Sequence, residues 1–230
     1  MTTIQNSEWS KFHLKSFKLN KFPKYPNEII LKTLFGDYTK HNIKLGAKSR
    51  VLDIGCGFGN NLIPFIDKDC GIFGIEIDNR ICNLTKKILK NKYPNKKITI
   101  KVGHNRLIPF KKNFFDLVLT NTLHYEETLE DFKKLINEIK RVLKKNKYFF
   151  LTITANKHDF FQKTKKISKN IYLNTNKQDE IRYGKKFFFI ENEKGLKKLL
   201  LSHFKKVVTG RVTEIINKNC FDIYLALCIK

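Results

Sequence analysis

The chain has 230 residues, 41% hydrophobic and 13% aromatic, which excludes a disordered polymer and suffices for one domain with its own core. Its formal net charge of +25 points to anionic partners, a small charged molecule ahead of a nucleic acid. Of the 46 basic residues 40 are lysine and only six arginine, so the excess reads first as a solvated surface rather than as the arginine forks that grip phosphates and bases.

Taken in order, residues 1–48 are expected to form a helical arm. The opening MTTIQNSEWSKFH has no apolar signal-peptide core, and no run approaches the roughly 18 apolar residues of a membrane span. A cytoplasmic location is therefore expected. Trp9, Phe12, Phe17 and Phe22 scatter among lysines without a period. Asn27 reads as the N-cap, and Gly36 as the stop, of a helix through Ile29, Ile30, Leu34 and Phe35. The five cysteines form no C-x-x-C pair, so free thiols are expected and no metal site is predicted.

The organising stretch is Val51 to Asn60, VLDIGCGFGN. A buried strand runs into a glycine turn and then an apolar helical pattern, the opening of a nucleotide-binding α/β unit. Glycine lets the backbone bend tightly and lie against a ligand. The dinucleotide fingerprint needs a glycine at the sixth position, where this chain has Asn60. A second buried strand is predicted over residues 71–77, with Glu76 near its end, 23 positions after Asp53. A carboxylate there can accept both ribose hydroxyls.

A helix is predicted over 79–90, a third strand over 98–102, then Gly103-His104-Asn105 and Ile108-Pro109-Phe110. Residues 114–125 read as the fourth strand and the turn after it: Asp116 opens the strand, Val118 and Leu119 fill it, and Asn121-Thr122-Leu123-His124-Tyr125 lie at its carboxyl end. Its carboxyl end is where open α/β sheets bind ligands, so Asn121, His124 and Tyr125 are expected in the crevice. Helical spacing from Leu129 to Leu143 is followed by a fifth strand over 148–153. Residues 157–186 read as a lysine-rich, substrate-side insertion, with Phe160, Phe161, Tyr172 and Tyr183 as pocket or packing groups. A helix over 193–204 and a terminal hairpin, 207–215 with 221–229, complete the pattern.

The string Asp53-Ile54-Gly55-Cys56-Gly57-Phe58-Gly59 resembles motif I of the class I S-adenosylmethionine (SAM)-dependent methyltransferases, in particular the type 11-like group. Ile108-Pro109-Phe110 and Arg141-Val142-Leu143-Lys144 are similar to later family motifs. The resemblance covers roughly 49–155 and 188–230. It implies one domain spanning 1–230: arm or lid 1–48, SAM-binding half 49–155, insertion 157–186, and helix with hairpin 188–230. The implied fold is α/β, a Rossmann-like seven-stranded, mostly parallel sheet with helices on both faces and an antiparallel C-terminal hairpin.

The resemblance also implies SAM as cofactor and S-adenosylhomocysteine as product. Gly55, Gly57 and Gly59 would lie against the methionine part, Asp53 near its amino group, and Glu76 with Ile77 at the ribose. Many members carry an aspartate for adenine where this chain has His104, so His104, Asn105 or backbone must serve. The Asn/Asp-Pro-Pro-aromatic and Pro-Cys signatures of nucleobase methylation are absent. The expected activity is therefore O-methylation of a small anionic metabolite, a nucleotide-linked sugar or a capsule or polysaccharide precursor. His124 is the candidate general base and Tyr125 its candidate companion. An RNA methyltransferase and a non-catalytic partner subunit of the same fold remain open alternatives. Composition leaves the oligomeric state open.

Overall fold

Five apolar runs build the parallel part of the main sheet: β1 (Arg50–Ile54), β2 (Gly71–Glu76), β3 (Ile98–Val102), β4 (Phe115–Leu123) and β5 (Leu143–Thr154). A small sheet of β6 (Thr164–Ser168), β7 (Ile171–Asn174) and β8 (Lys186–Phe188) follows, and the hairpin β9 (Lys206–Ile216) and β10 (Asn219–Ile229) closes the chain. The structure is a computed structural model and describes residues 3–39, 43–123 and 127–230.

The main sheet runs β3-β2-β1-β4-β5-β10-β9. β10 pairs antiparallel with both β5 and β9, and the other pairings are parallel. The chain leaves β1 outward through β2 and β3, then returns to β1's other side as β4. This reversal opens a crevice at the carboxyl ends of β1 and β4.

The helices are α1 (Thr3–Lys18), α2 (Glu28–Leu34), α3 (Ile63–Asp67), α4 (Asn79–Lys92), α5 (Leu129–Val142), α6 (Asp159–Gln162) and α7 (Glu193–Leu201). Alternation along β1 divides them between two layers. Leu52 and Ile54 pack with Phe132 and Ile136 of α5 and Leu200 of α7. Val51 faces the other way, with Ile30 of α2, Phe65 of α3 and Leu89 of α4. The helix expected from residue 62 after the glycine turn is α3, preceded by a 3-10 turn (Asn60–Leu62). The fifth strand starts at Leu143, directly from α5, five residues before its expected start.

No helix links β3 to β4; residues 103–114 cover that part of the sheet with rings. Phe73 meets Phe110 and Phe114 edge-on, at centroid distances of 5.5 and 5.3 Å. Arg141 of α5 clamps this loop, donating to the carbonyls of Ile108 at 2.8 Å and Phe110 at 2.7 Å. Glu138, beside it, accepts from Ile108 N at 2.8 Å. The two short motifs read separately in the sequence, around residues 108 and 141, thus bind each other.

Candidate active site

β1 runs into three left-handed glycines, Gly55 (φ +70°), Gly57 (φ +50°) and Gly59 (φ +81°). Side-chain-bearing residues adopt this backbone only with strain. The three differ in purpose. A Cβ at Gly55 or Gly57 would meet nothing within 4 Å, whereas one at Gly59 would lie 2.7 Å from Leu89 Cδ1. The first two turn bare backbone to open space, and the third lets the turn close on α4.

Glu76 holds this turn. Its carboxylate accepts from Gly57 N at 3.2 Å and Ile77 N at 2.8 Å, and its side chain is buried. Gly55 N and Cys56 N both donate to Ile75 O, at 2.9 and 3.1 Å. Thr85, fully buried on α4, donates its hydroxyl to the Gly57 carbonyl. Nothing in the sequence singled Thr85 out, because a threonine inside a helical pattern carries no signal until the turn above it is placed.

Asp53 lies behind the turn, 1% exposed, and neither carboxylate oxygen has a hydrogen-bond partner. Burial, then the nearby charge of Glu76, pushes its pKa well above the ordinary 3.8. An unpartnered buried carboxylate is costly, and a cationic group brought to this end of the crevice would relieve it.

At the end of β3, Gly103 N donates to Glu76 O at 3.0 Å, carrying the loop beside Glu76. His104 is half-buried, and its Nδ1 accepts from Arg106 N at 3.1 Å. That bond assigns the ring proton to Nε2. Burial, then the Arg106 charge, lowers its pKa and favours the neutral ring. Asn105 follows in the same turn. At the end of β4, Asn121 accepts from the Thr152 hydroxyl at 2.9 Å, tying β4 to β5. His124 and Tyr125, the predicted catalytic pair, lie outside the described residues.

The amino-terminal arm reaches the site through Phe58, the residue between the second and third glycines. His13, Phe17 and Phe22 gather on it at centroid distances of 5.8, 5.6 and 4.8 Å. Buried Ser10 hydrogen-bonds Asp78, the N-cap of α4. Asn60, where a dinucleotide fold has glycine, donates to the Tyr25 carbonyl at 2.9 Å. Asn61 accepts from Asn27 N at 3.0 Å. Of the aromatics without a period, Phe17 and Phe22 share one target on the glycine turn, Phe12 meets His13 edge-on, and the Trp9 side chain lies outside the described residues.

Among the described residues no group of three or more His, Cys, Asp or Glu side chains could hold a metal ion, and no helix is long and apolar enough to cross a membrane. The strand order, the open glycine turn and the acid at the tip of β2 define a class I SAM-dependent methyltransferase. A sequence profile described as a methyltransferase domain matches residues 45–226, and the chain belongs to that family. Its cofactor is SAM.

Solved structures share the fold at low identity. A SAM-dependent methyltransferase from Methanosarcina mazei has a TM-score of 0.66 and 19% identity, with 81% of this chain and 94% of that chain covered. A protein from Pyrococcus horikoshii scores 0.61 at 18% identity, covering 92% and 97%. A possible histamine N-methyltransferase from Thermotoga maritima scores 0.56 at 18% identity, covering 80% and 83%. No curated protein matches the chain.

The residues present fit the cofactor. Unpartnered Asp53 suits an ammonium group, the open faces of Gly55 and Gly57 admit a ligand against backbone, and Glu76 lies at the tip of β2.

Proposed function

We propose that the chain transfers the methyl group of SAM to an oxygen of a small anionic acceptor. In this reading Asp53, Gly55, Gly57 and Gly59 receive the methionine part of the cofactor. Glu76 and Ile77 receive the ribose, and His104, Asn105 and Asn121 border the adenine and the crevice. Bound SAM supplies an electrophilic methyl carbon. The protein's task is alignment, exclusion of water and removal of the acceptor's proton. His124 takes that proton, with Tyr125 beside it.

The observation that carries the acceptor reading is charge beside the crevice. Residues 157–186 hold eight lysines and Arg182 against Asp159, Asp179 and Glu180. The strand that ends this segment sets Phe188 against Phe132, in the first turn of α5, at 5.6 Å. A negatively charged metabolite or nucleotide-linked sugar is the matching acceptor class.

The test is single-turnover transfer to a panel of phosphorylated hydroxyl acceptors. His124→Ala should slow transfer by about 10²–10⁴-fold while SAM affinity holds. The wild-type rate should rise with pH through a histidine-like value, and the variant should lose that rise. A near-normal variant rate removes the base. Filter binding of RNA that is tight, with a steep salt slope, would replace the small acceptor with a nucleic acid.

A further inference from the structure

The three-stranded sheet β6-β7-β8 has two faces of different character. Tyr172 pairs across the sheet with Lys166 and Phe187, and directly paired residues share a face. Tyr172 and Phe187 pack in a buried aromatic cluster with Phe160 and Phe189. The lysine on this face is neutralised: Lys166 pairs with Glu191 at 2.6 Å, and Glu191 also accepts from the Tyr172 hydroxyl at 2.7 Å.

The opposite face carries Lys165, Leu173 and Lys186 in one cross-strand row, with Ile171 and Phe188 in the next. Phe188 turns this face toward α5, against Phe132. Leu173 and Ile171 are half-buried, Lys165 and Lys186 are exposed, and neither lysine has an acidic partner among the described residues. The two lysine Cα atoms stand two strand spacings apart, about 9.5 Å, each with a four-carbon stem that lets the ammonium groups converge. At that spacing two exposed cations repel each other only weakly, and an anion lying between them can engage both at once.

We infer that Lys165 and Lys186 form a two-pronged site for a diphosphate group, with Leu173 and Ile171 as the floor under the adjoining part of the molecule. The site lies on the α5-facing side of the small sheet, so a molecule held there would direct its other end toward the carboxyl end of β4. The inference rests on the anionic-acceptor reading and narrows it to acceptors carried on a diphosphate. A diphosphate fits better than a single phosphate because its two charged ends can engage both prongs at once.

Calorimetric titration of the full chain with inorganic pyrophosphate, at fixed ionic strength and saturating SAM, tests this. Lys165→Gln combined with Lys186→Gln should weaken pyrophosphate by about tenfold. Lys194→Gln combined with Lys197→Gln, which removes the same charge from exposed positions on α7, should change it by less than about twofold. Orthophosphate should bind more weakly than pyrophosphate to the wild type and respond less to the first pair. Absence of pyrophosphate binding, or equal losses in both double variants, overturns the site. Pyrophosphate binding needs no methyl transfer, so the two readings fail separately. If the lysine pair binds pyrophosphate but no phosphorylated acceptor is methylated, the acceptor reading falls and the site stands. If such acceptors are methylated at rates indifferent to the pair, the site falls.

Discussion

Replacing Glu76 with alanine should damage the fold and the cofactor site by separable amounts. Its carboxylate accepts from Gly57 N and Ile77 N, at 3.2 and 2.8 Å, in a buried position. A hydrogen bond to a charged acceptor contributes about 1.5–3 kcal/mol net. Loss of both leaves two backbone donors bare at the lip of the crevice, where water can reach part of the gap. A fall in unfolding free energy of about 3 kcal/mol is therefore expected for the SAM-free protein. On the proposed ribose contact, SAM should also weaken by about 1–3 kcal/mol, about 5- to 150-fold in Kd. Glu76→Gln keeps one carbonyl acceptor and should recover roughly half of the stability loss. Urea unfolding followed by circular dichroism reads the first quantity, and calorimetry with SAM on the folded variants reads the second. A folded Glu76→Ala protein with wild-type SAM affinity would refute the ribose assignment. An unchanged unfolding free energy would refute the two hydrogen bonds as supports of the turn.

Four further outcomes are expected. Asp53 has a folded pKa above its ordinary value of 3.8, so the unfolded chain ionises first and the carboxylate's contribution to stability is lost as pH rises from there. Asp53→Asn should accordingly be more stable than the SAM-free wild type at pH 7, lose that advantage in urea melts near pH 4 and below, and bind SAM more weakly. Gly59→Ala combines a left-handed φ with a Cβ 2.7 Å from Leu89 Cδ1 and should cost about 2 kcal/mol in denaturant unfolding. Gly55→Ala, strained but unobstructed, should cost about 1–2 kcal/mol and show its larger effect in SAM titration. Asp222 is fully buried; burial opposes its ionisation, but Arg211, Thr213 and the Lys157 amide together hold its pKa below 3.8. Its stabilisation is present above 3.8 and lost as pH falls through the lowered value. Because Arg211 is partly solvated, Asp222→Ala should cost about 3 kcal/mol, the low end for a broken buried pair, in thermal or urea melts.

Local sequence was enough to read the parallel strands, the glycine turn and the acid at residue 76. Each is written in contiguous residues: an apolar run of strand length, glycines where φ must be positive, a carboxylate at a strand's end. The family resemblance then supplied the seven-stranded, mostly parallel sheet, and the strand order came from the structure. The start of β5 was misplaced because residues 144–147 are polar: Leu143 already pairs with Phe115 of β4, and the polar stretch is held by backbone bonds between Asn146, Lys147 and Lys230, just past β10.

What the tertiary structure decided is which residues act on each other across the chain. Gly59 differs from Gly55 and Gly57 because Leu89 and Thr85 of α4 lie against it. Asp53 is a buried, unpartnered carboxylate only in the folded chain, where β2 also brings Glu76, another acid, near it. Phe17 and Phe22 showed no period because they pack on a single ring, Phe58, instead of along a helix face. The lysines of residues 157–186 looked alike in sequence. Strand register separates Lys166, paired with Glu191, from Lys165 and Lys186, since a shift of one residue along a strand moves a side chain to the other face.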